Sequence, residues 1–225
     1  LHFEHVHPVG NPAIDYIRHA KWQKPPTHTE PYVVVNYQAE TIDGTVDLDA
    51  VNKAIEENSL TLKSTYDAIT IRNHILQIFE DIISANENEK EALLNLVIVG
   101  AGPTGVELAG AFAEIKRNVL PRDYPGIDFS KFNIRLIEGS KNTLNSMSDK
   151  AKKASRYYLE KMGVTISTET YVANYDGEIL TLKNGETIKT KTVIWSAGVT
   201  GNSIQGVQAS SIVQGMRFKV NRINK

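Results

Sequence analysis

The residues with the plainest capacity for chemistry are Gly100-Ala101-Gly102-Pro103-Thr104-Gly105, a glycine-rich loop between an apolar run and a stretch of helical character. A diphosphate concentrates negative charge that must be met at close range. A sharp strand-to-helix turn meets it with main-chain N–H groups and the positive end of a helix dipole. At this spacing Gly100 turns the chain off the strand, Gly102 lets the backbone approach the phosphates, and Gly105 lets helix and strand pack closely. Pro103 falls where a helix start leaves an N–H unused. The pattern alone is a weak sign; a preceding strand and a following helix give it meaning. The bland alternative is a glycine turn that serves packing only.

Two carboxylates accompany the loop. Glu138 ends a second apolar run, where an acid accepts hydrogen bonds from adenosine ribose hydroxyls and repels a 2′-phosphate, so NADH is favoured over NADPH. Arg135 and Lys141 would soften that repulsion, and a merely solvated strand end is the alternative. The gap from the loop to Glu138 exceeds the usual roughly 20 residues, and a loop at 120 to 128 accounts for the excess. Glu107 reads as first-turn helix, either complementing the dipole or facing a nicotinamide. With 0 cysteines, thiolate nucleophiles, disulfides and iron–sulfur ligation are excluded, so any electrons must travel on a bound cofactor.

The elements that must position these residues follow in order. Leu96-Val97-Ile98-Val99 is a short continuous apolar run, as a strand buried on both faces requires. A helix is expected from Thr104 to Asn118, a strand through Ile134, Leu136 and Ile137, and a helix from Asp149 to Met162 capped by Ser148 and stopped by Gly163. Short strands at 164–167, 171–174, 178–182 and 187–189 come next, with Asp176-Gly177 and Asn184-Gly185 as hairpin turns. Thr192 to Ser196 is a last apolar strand. This order implies an α/β fold: a Rossmann-like NAD-binding domain with a parallel sheet and an antiparallel β-meander insertion.

Upstream, apolar positions at helical spacing predict a helix over 64 to 84, with Ser64 or Thr65 as cap and His74 a hydrogen-bonded core residue rather than a catalyst. A helical turn is expected around Glu89 to Leu94, a short helix at 47–57, a strand at 32–37 and a turn at Asp43-Gly44. The chain divides into an N-terminal appendage (1–52), a helical connector (53–95), the NADH-binding domain (96–199) and a C-terminal segment (200–225). His5 and His7 would share one strand face and, with His19 or His28, could ligate a metal; ordinary histidines in an exposed end are the preferred reading, and no metal is expected. A composition 41% hydrophobic and 23% charged with net charge -1 fits an ordinary soluble globular chain and gives no long-range attraction to nucleic acid or an anionic membrane. No run approaches the roughly 20 apolar residues of a membrane span, and no secretory signal is visible.

Val97-Ile98-Val99-Gly100-Ala101-Gly102-Pro103-Thr104-Gly105-Val106-Glu107-Leu108-Ala109-Gly110 strongly resembles the second nucleotide-binding motif of type II NADH dehydrogenases, single-subunit NADH:quinone oxidoreductases with two dinucleotide-binding domains. Val119-Leu120-Pro121-Arg122-Asp123-Tyr124-Pro125, Thr192-Val193-Ile194-Trp195-Ser196-Ala197-Gly198-Val199 and Ala68-Ile69-Thr70-Ile71-Arg72-Asn73-His74 extend the resemblance over about residues 53 to 225. The family implies hydride transfer from NADH to FAD, then to a quinone at the membrane surface. Carried over by position, Gly100, Ala101, Gly102, Pro103, Thr104 and Gly105 would cradle the pyrophosphate. Glu138 would hold the ribose, Glu107 would sit near the nicotinamide, and Ala197 and Gly198 would line the cofactor cleft.

The chain departs from that family in carrying no flavin glycine motif in residues 1 to 95, and in ending at Lys225 before the flavin-closing, quinone and amphipathic segments. The expectation is therefore a soluble chain that binds NADH without a complete FAD site, inactive alone, and a yellow purified protein would contradict it. The intact protein would lie peripherally on the cytoplasmic side of the membrane, touching it through segments absent here; a homodimer stays open. A rival function is a stand-alone nucleotide-binding or sensor module without turnover. A third is another member of the same flavoprotein superfamily.

Overall fold

The computed structural model describes residues 48–198 and the short strands at 212–213 and 217–218, with side chains described over 53–198. The expected strand at 32–37, the turn at Asp43-Gly44 and the histidines His2, His5, His7, His19 and His28 lie outside the described residues.

The chain runs α1 (Leu48–Asn58), β1 (Leu60–Thr61), α2 (Thr65–Ser84), α3 (Glu87–Leu93), β2 (Asn95–Val99), α4 (Pro103–Asn118) and α5 (Leu120–Asp123). After a 3-10 turn (Phe129–Lys131) come β3 (Asn133–Ile137), α6 (Asp149–Lys161), β4 (Val164–Ser167), β5 (Val172–Tyr175), β6 (Ile179–Leu182), β7 (Thr187–Lys189) and β8 (Thr192–Trp195). The pair β9 (Ile212–Val213) and β10 (Arg217–Phe218) is antiparallel. Strands order β1-β8-β2-β3-β4 in one sheet, parallel throughout, while β5, β6 and β7 form a separate antiparallel sheet.

Strand period two sorts the apolar runs between two cores. Leu96, Ile98, Ile134, Leu136 and Ile194 face the helices, packing with Ile71, Ile75, Ile78, Phe79 and Phe112. Val97, Val99, Ile137, Val193 and Trp195 face the other way, against Val172, Tyr175, Leu180, Leu182 and Ile188 of the meander and Ile55 of α1. The apolar runs are continuous because both faces of these strands are covered.

Helix ends follow local chemistry. Ser64 caps α2 in a reciprocal box with Asp67, and Asn86 does the same for α3 with Glu89. Ser148 caps α6, and Gly163 follows its end with φ +86°. Asp176 accepts from the backbone N–H groups of Glu178 (2.9 Å) and Ile179 (2.7 Å), which fixes the β5–β6 turn and holds its carboxyl below the usual carboxylate range.

Three expectations change. Leu60–Thr61 forms an edge strand paired with Ile194 and Trp195, too short for periodicity to reveal. The segment 120–128 is not all loop: α5 forms over Leu120–Asp123, because Pro121 occupies a helix-start position where no N–H is needed. That segment is tied down by Tyr124 and Phe129, whose rings lie 5.6 and 5.7 Å from Phe79, and by the Tyr124 hydroxyl, which donates to Glu80 (3.1 Å). Strand β5 runs one residue later than expected, from Val172, leaving Tyr171 outside it.

Candidate functional site

Strands β2 and β8 lie side by side with Val99 opposite Trp195, so the segments leaving them emerge together at one sheet edge. Gly100 turns off β2 with φ +100°, a conformation that L side chains rarely adopt, and its N–H donates to the Ile137 carbonyl (2.7 Å). A Cβ on Gly100 would lie 2.7 Å from the Ala197 nitrogen, so the loop after β2 and the segment after β8 touch backbone to backbone. Ser196 locks that contact: its N–H donates to the Val99 carbonyl (2.8 Å), and its hydroxyl reaches the carbonyls of Val99 (3.0 Å) and Gly100 (2.9 Å).

The three glycines of the loop differ in surroundings. A Cβ on Gly105 would collide with the Gly100 carbonyl oxygen, so α4 seats directly on the loop. Gly102 caps α4, and a Cβ there would have nothing within 4 Å. The bare backbone at Gly102 faces open space, where an anion has room. Val106 N–H donates to the Gly102 carbonyl (3.0 Å), while the N–H groups of Gly102, Thr104 and Gly105 meet no acceptor among the described residues. Such first-turn donors, backed by a 16-residue helix, are what a phosphate recruits.

Glu138 follows β3 at the neighbouring position. Its carboxylate is not a solvated strand end: one oxygen accepts from the Ala101 N–H (2.6 Å), the other from the N–H and hydroxyl of Ser140 (2.7 Å each). The acid is half-buried and bonded to the glycine loop, and the oxygen that holds Ala101 retains a lone pair for a further donor. Among the described residues, the non-glycine residues at positive φ are Leu144 (49°) and Glu169 (54°). Both bond into this cluster, Leu144 N–H to the Ala101 carbonyl (2.8 Å) and Glu169 N–H to the Ser140 carbonyl (3.1 Å).

The other expected residues fall as follows. Ala197 and Gly198 follow the β8 exit, and Ala197 lies against Gly100. Glu107 is the fifth residue of α4, exposed and past the first turn, which carries no acid; the dipole reading of Glu107 therefore fails, since that effect fades within one turn. Arg135 pairs with Glu186 (3.1 Å) on the meander, so its charge is engaged there, and Lys141 is exposed. His74 lies 2.9 Å from the Thr192 hydroxyl at the start of β8, the end opposite the glycine loop, and burial pushes its pKa down. Ser140, Leu144 and Glu169 carry no motif signature, which is why sequence reasoning did not single them out, and Ser196 lies within the Thr192-to-Val199 motif without a role of its own there. Among the described residues, no cluster of three or more His, Cys, Asp or Glu could hold a metal, and no helix is long and apolar enough to cross a membrane.

Residues 60–221 match the family described as pyridine nucleotide-disulphide oxidoreductase. A type II NADH:quinone oxidoreductase of Mycobacterium tuberculosis is 33% identical over 148 residues, covering 64% of this chain and 32% of that protein. A mitochondrial external alternative NAD(P)H-ubiquinone oxidoreductase of Arabidopsis thaliana is 27% identical over 171 residues, covering 72% of this chain and 29% of that protein. The solved structure of NDH2 from Plasmodium falciparum in complex with NADH shares the fold, with TM-score 0.63, 24% identity, and coverage of 66% of this chain and 32% of that one. The chain spans about a third of the length of the curated relatives it matches.

Proposed function

The chain belongs to the pyridine nucleotide-disulphide oxidoreductase family, and from that premise we propose that it is the NADH-binding part of a flavin-dependent NADH:quinone oxidoreductase. The observation that carries this reading is the opening at Gly102: main-chain donors at the start of α4, bare of side chains, beside an acid bonded to the same loop. The names of the curated relatives, NADH:quinone and NAD(P)H-ubiquinone oxidoreductases, support the reaction class.

In this reading the N–H groups of Gly102, Thr104 and Gly105 receive the pyrophosphate, with Gly100, Ala101 and Pro103 shaping the turn that presents them. Glu138 accepts from the adenosine ribose with its remaining lone pair and disfavours a 2′-phosphate. Ala197 and Gly198 line the cleft on the nicotinamide side, and the exposed Glu107 carboxylate stands on α4 where it can approach that ring. FAD, bound in the intact protein, supplies the two-electron redox chemistry; the residues here bind and orient the hydride donor. A quinone acceptor and a peripheral position at the membrane surface belong to the same proposal for the whole protein.

Calorimetric titration with NADH tests the core of it. Saturable binding by the wild-type chain and its loss in Gly102→Val is the expected result. Equal binding by both forms, or none by the wild type, rejects the assignment. Oxidation of NADH with ferricyanide or a quinone, measured beside flavin content, then separates an electron-transfer role from nucleotide sensing.

A further inference from the structure

We propose that Tyr171 is the platform on which the adenine ring of the dinucleotide stacks, a binding role outside the glycine motif; the proposal rests on the NADH-binding reading above. Tyr171 lies between β4 and β5, and its ring lies across Gly139, the residue that follows Glu138. A Cβ on Gly139 would fall 2.6 Å from Tyr171 Cε1 and 3.2 Å from Cδ1 and Cζ, so the ring occupies space that only a glycine leaves. Even so, the residue remains 49% exposed, a large aromatic surface beside the acid assigned to the ribose.

The backbone that carries the ring is held at three successive residues. Thr170 N–H donates to the Glu138 carbonyl (3.0 Å), and the Tyr171 carbonyl accepts from Lys183 N–H (2.8 Å). Glu169, at φ 54°, binds the Ser140 carbonyl through its N–H (3.1 Å). The Lys183 ammonium lies 5.4 Å from the ring centroid and adds a cation–π attraction. The backbone that carries the ring is therefore tied to the segment that carries Glu138, and the ring rests beside Gly139.

Strand order supplies the direction. Along the edge where strands exit, β8 brings Ala197, β2 the phosphate loop, β3 the ribose acid, and the segment after β4 brings Tyr171. A dinucleotide laid along that edge with its pyrophosphate at Gly102 and its ribose at Glu138 carries its adenine onward toward Tyr171. Every base offers a π face to an aromatic ring, and such stacking is strong enough to alter affinity ten-fold or more on truncation to alanine.

The test uses calorimetry with NADH, ADP-ribose and reduced nicotinamide mononucleotide, which lacks the adenosine half, on wild type, Tyr171→Phe, Tyr171→Leu and Tyr171→Ala. The Kd for NADH and ADP-ribose is expected to rise about ten-fold or more in the Ala and Leu variants and to stay within about two-fold in Phe, with mononucleotide binding unchanged throughout. The Leu variant keeps apolar bulk over Gly139, so it reports on the π face even if the Ala variant is poorly folded. Unchanged ADP-ribose affinity in Ala and Leu, with wild type binding normally, overturns the role of Tyr171 alone. A parallel loss of mononucleotide binding overturns it as well, since the substitution then acts on the whole cleft. Failure of the wild type to bind either adenosine ligand overturns it together with the NADH-binding reading.

Discussion

The Glu138 carboxylate lies 2.6 Å from the amide nitrogen of Ala101, so the acid at the end of β3 is bonded directly to the glycine loop at the end of β2. The same carboxylate holds Ser140 with its other oxygen. One side chain thus shapes the loop from within the protein while retaining acceptor capacity on its outer side, and loss of its charge should register in both stability and cofactor choice.

Glu138→Gln replaces a charge-assisted acceptor with a group whose NH2 must face either the Ala101 or the Ser140 donors. Chemical denaturation is expected to show a loss of about 1.5–3 kcal/mol. Parallel titrations should show the preference for NADH over NADPH narrowing relative to wild type. Tighter NADPH than NADH binding by the wild type would remove the proposed role of the carboxylate in cofactor choice.

Glycine substitutions in the loop separate folding from binding. Gly105→Ala drives a methyl into the Gly100 carbonyl and should destabilise the fold by about 3 kcal/mol. Gly102→Ala meets no protein atom within 4 Å and should change stability by less than about 1 kcal/mol. Its methyl points where the phosphates are placed, so NADH affinity should fall by about ten-fold or more. Equal binding by Gly102→Ala and wild type would place the phosphates elsewhere.

Glu107→Gln tests the exposed acid of α4. Thermal stability should stay within about 0.5 kcal/mol of wild type, as for other surface positions. In the intact protein under the proposed FAD-dependent reading, NADH affinity should hold while the rate of flavin reduction falls, by about a hundred-fold if the carboxylate acts on a proton and less if it only orients the ring. An unchanged rate of flavin reduction would leave Glu107 without a part in the chemistry.

His74 predicts a pH dependence of stability. Burial lowers its folded pKa below the ordinary 6.5, against smaller opposing contributions from a Lys191 backbone hydrogen bond and the charge of Asp81. The unfolded chain therefore takes up the proton first as pH falls. The contribution is fully present above 6.5 and is lost as pH drops from 6.5 toward the depressed folded value. Thermal midpoints across that window should decline less steeply in His74→Gln than in wild type.

Much of this architecture was legible because its signals are local. The run Leu96 to Val99 is apolar at every position, the loop follows at once, and Ser148 and Gly163 bracket α6 as capping chemistry requires. What escaped was set by distant contacts. Leu60–Thr61 is a strand only because β8 offers an open edge. Leu144 and Glu169 adopt positive φ under bonds to Ala101 and Ser140, a conformation their residue types do not announce. The helix that carries Glu107 begins at Pro103, one residue before the expected Thr104, which moves the acid just past the first turn. The ties of Glu138 to Ala101 and Ser140 belong to side-chain geometry, which strand periodicity cannot express.

The seam between Gly100 and Ala197, stitched by Ser196, joins stretches of chain separated by 96 or 97 positions. No short peptide spanning the glycine loop alone can reproduce that contact, because its other side arrives only with the last parallel strand. Loop-closing entropy delays such pairings, which makes closure of the seam a late event in folding. By mass action, a nucleotide that recognises only the finished seam raises the melting temperature of the whole unit, and calorimetric scans with and without NADH would show it.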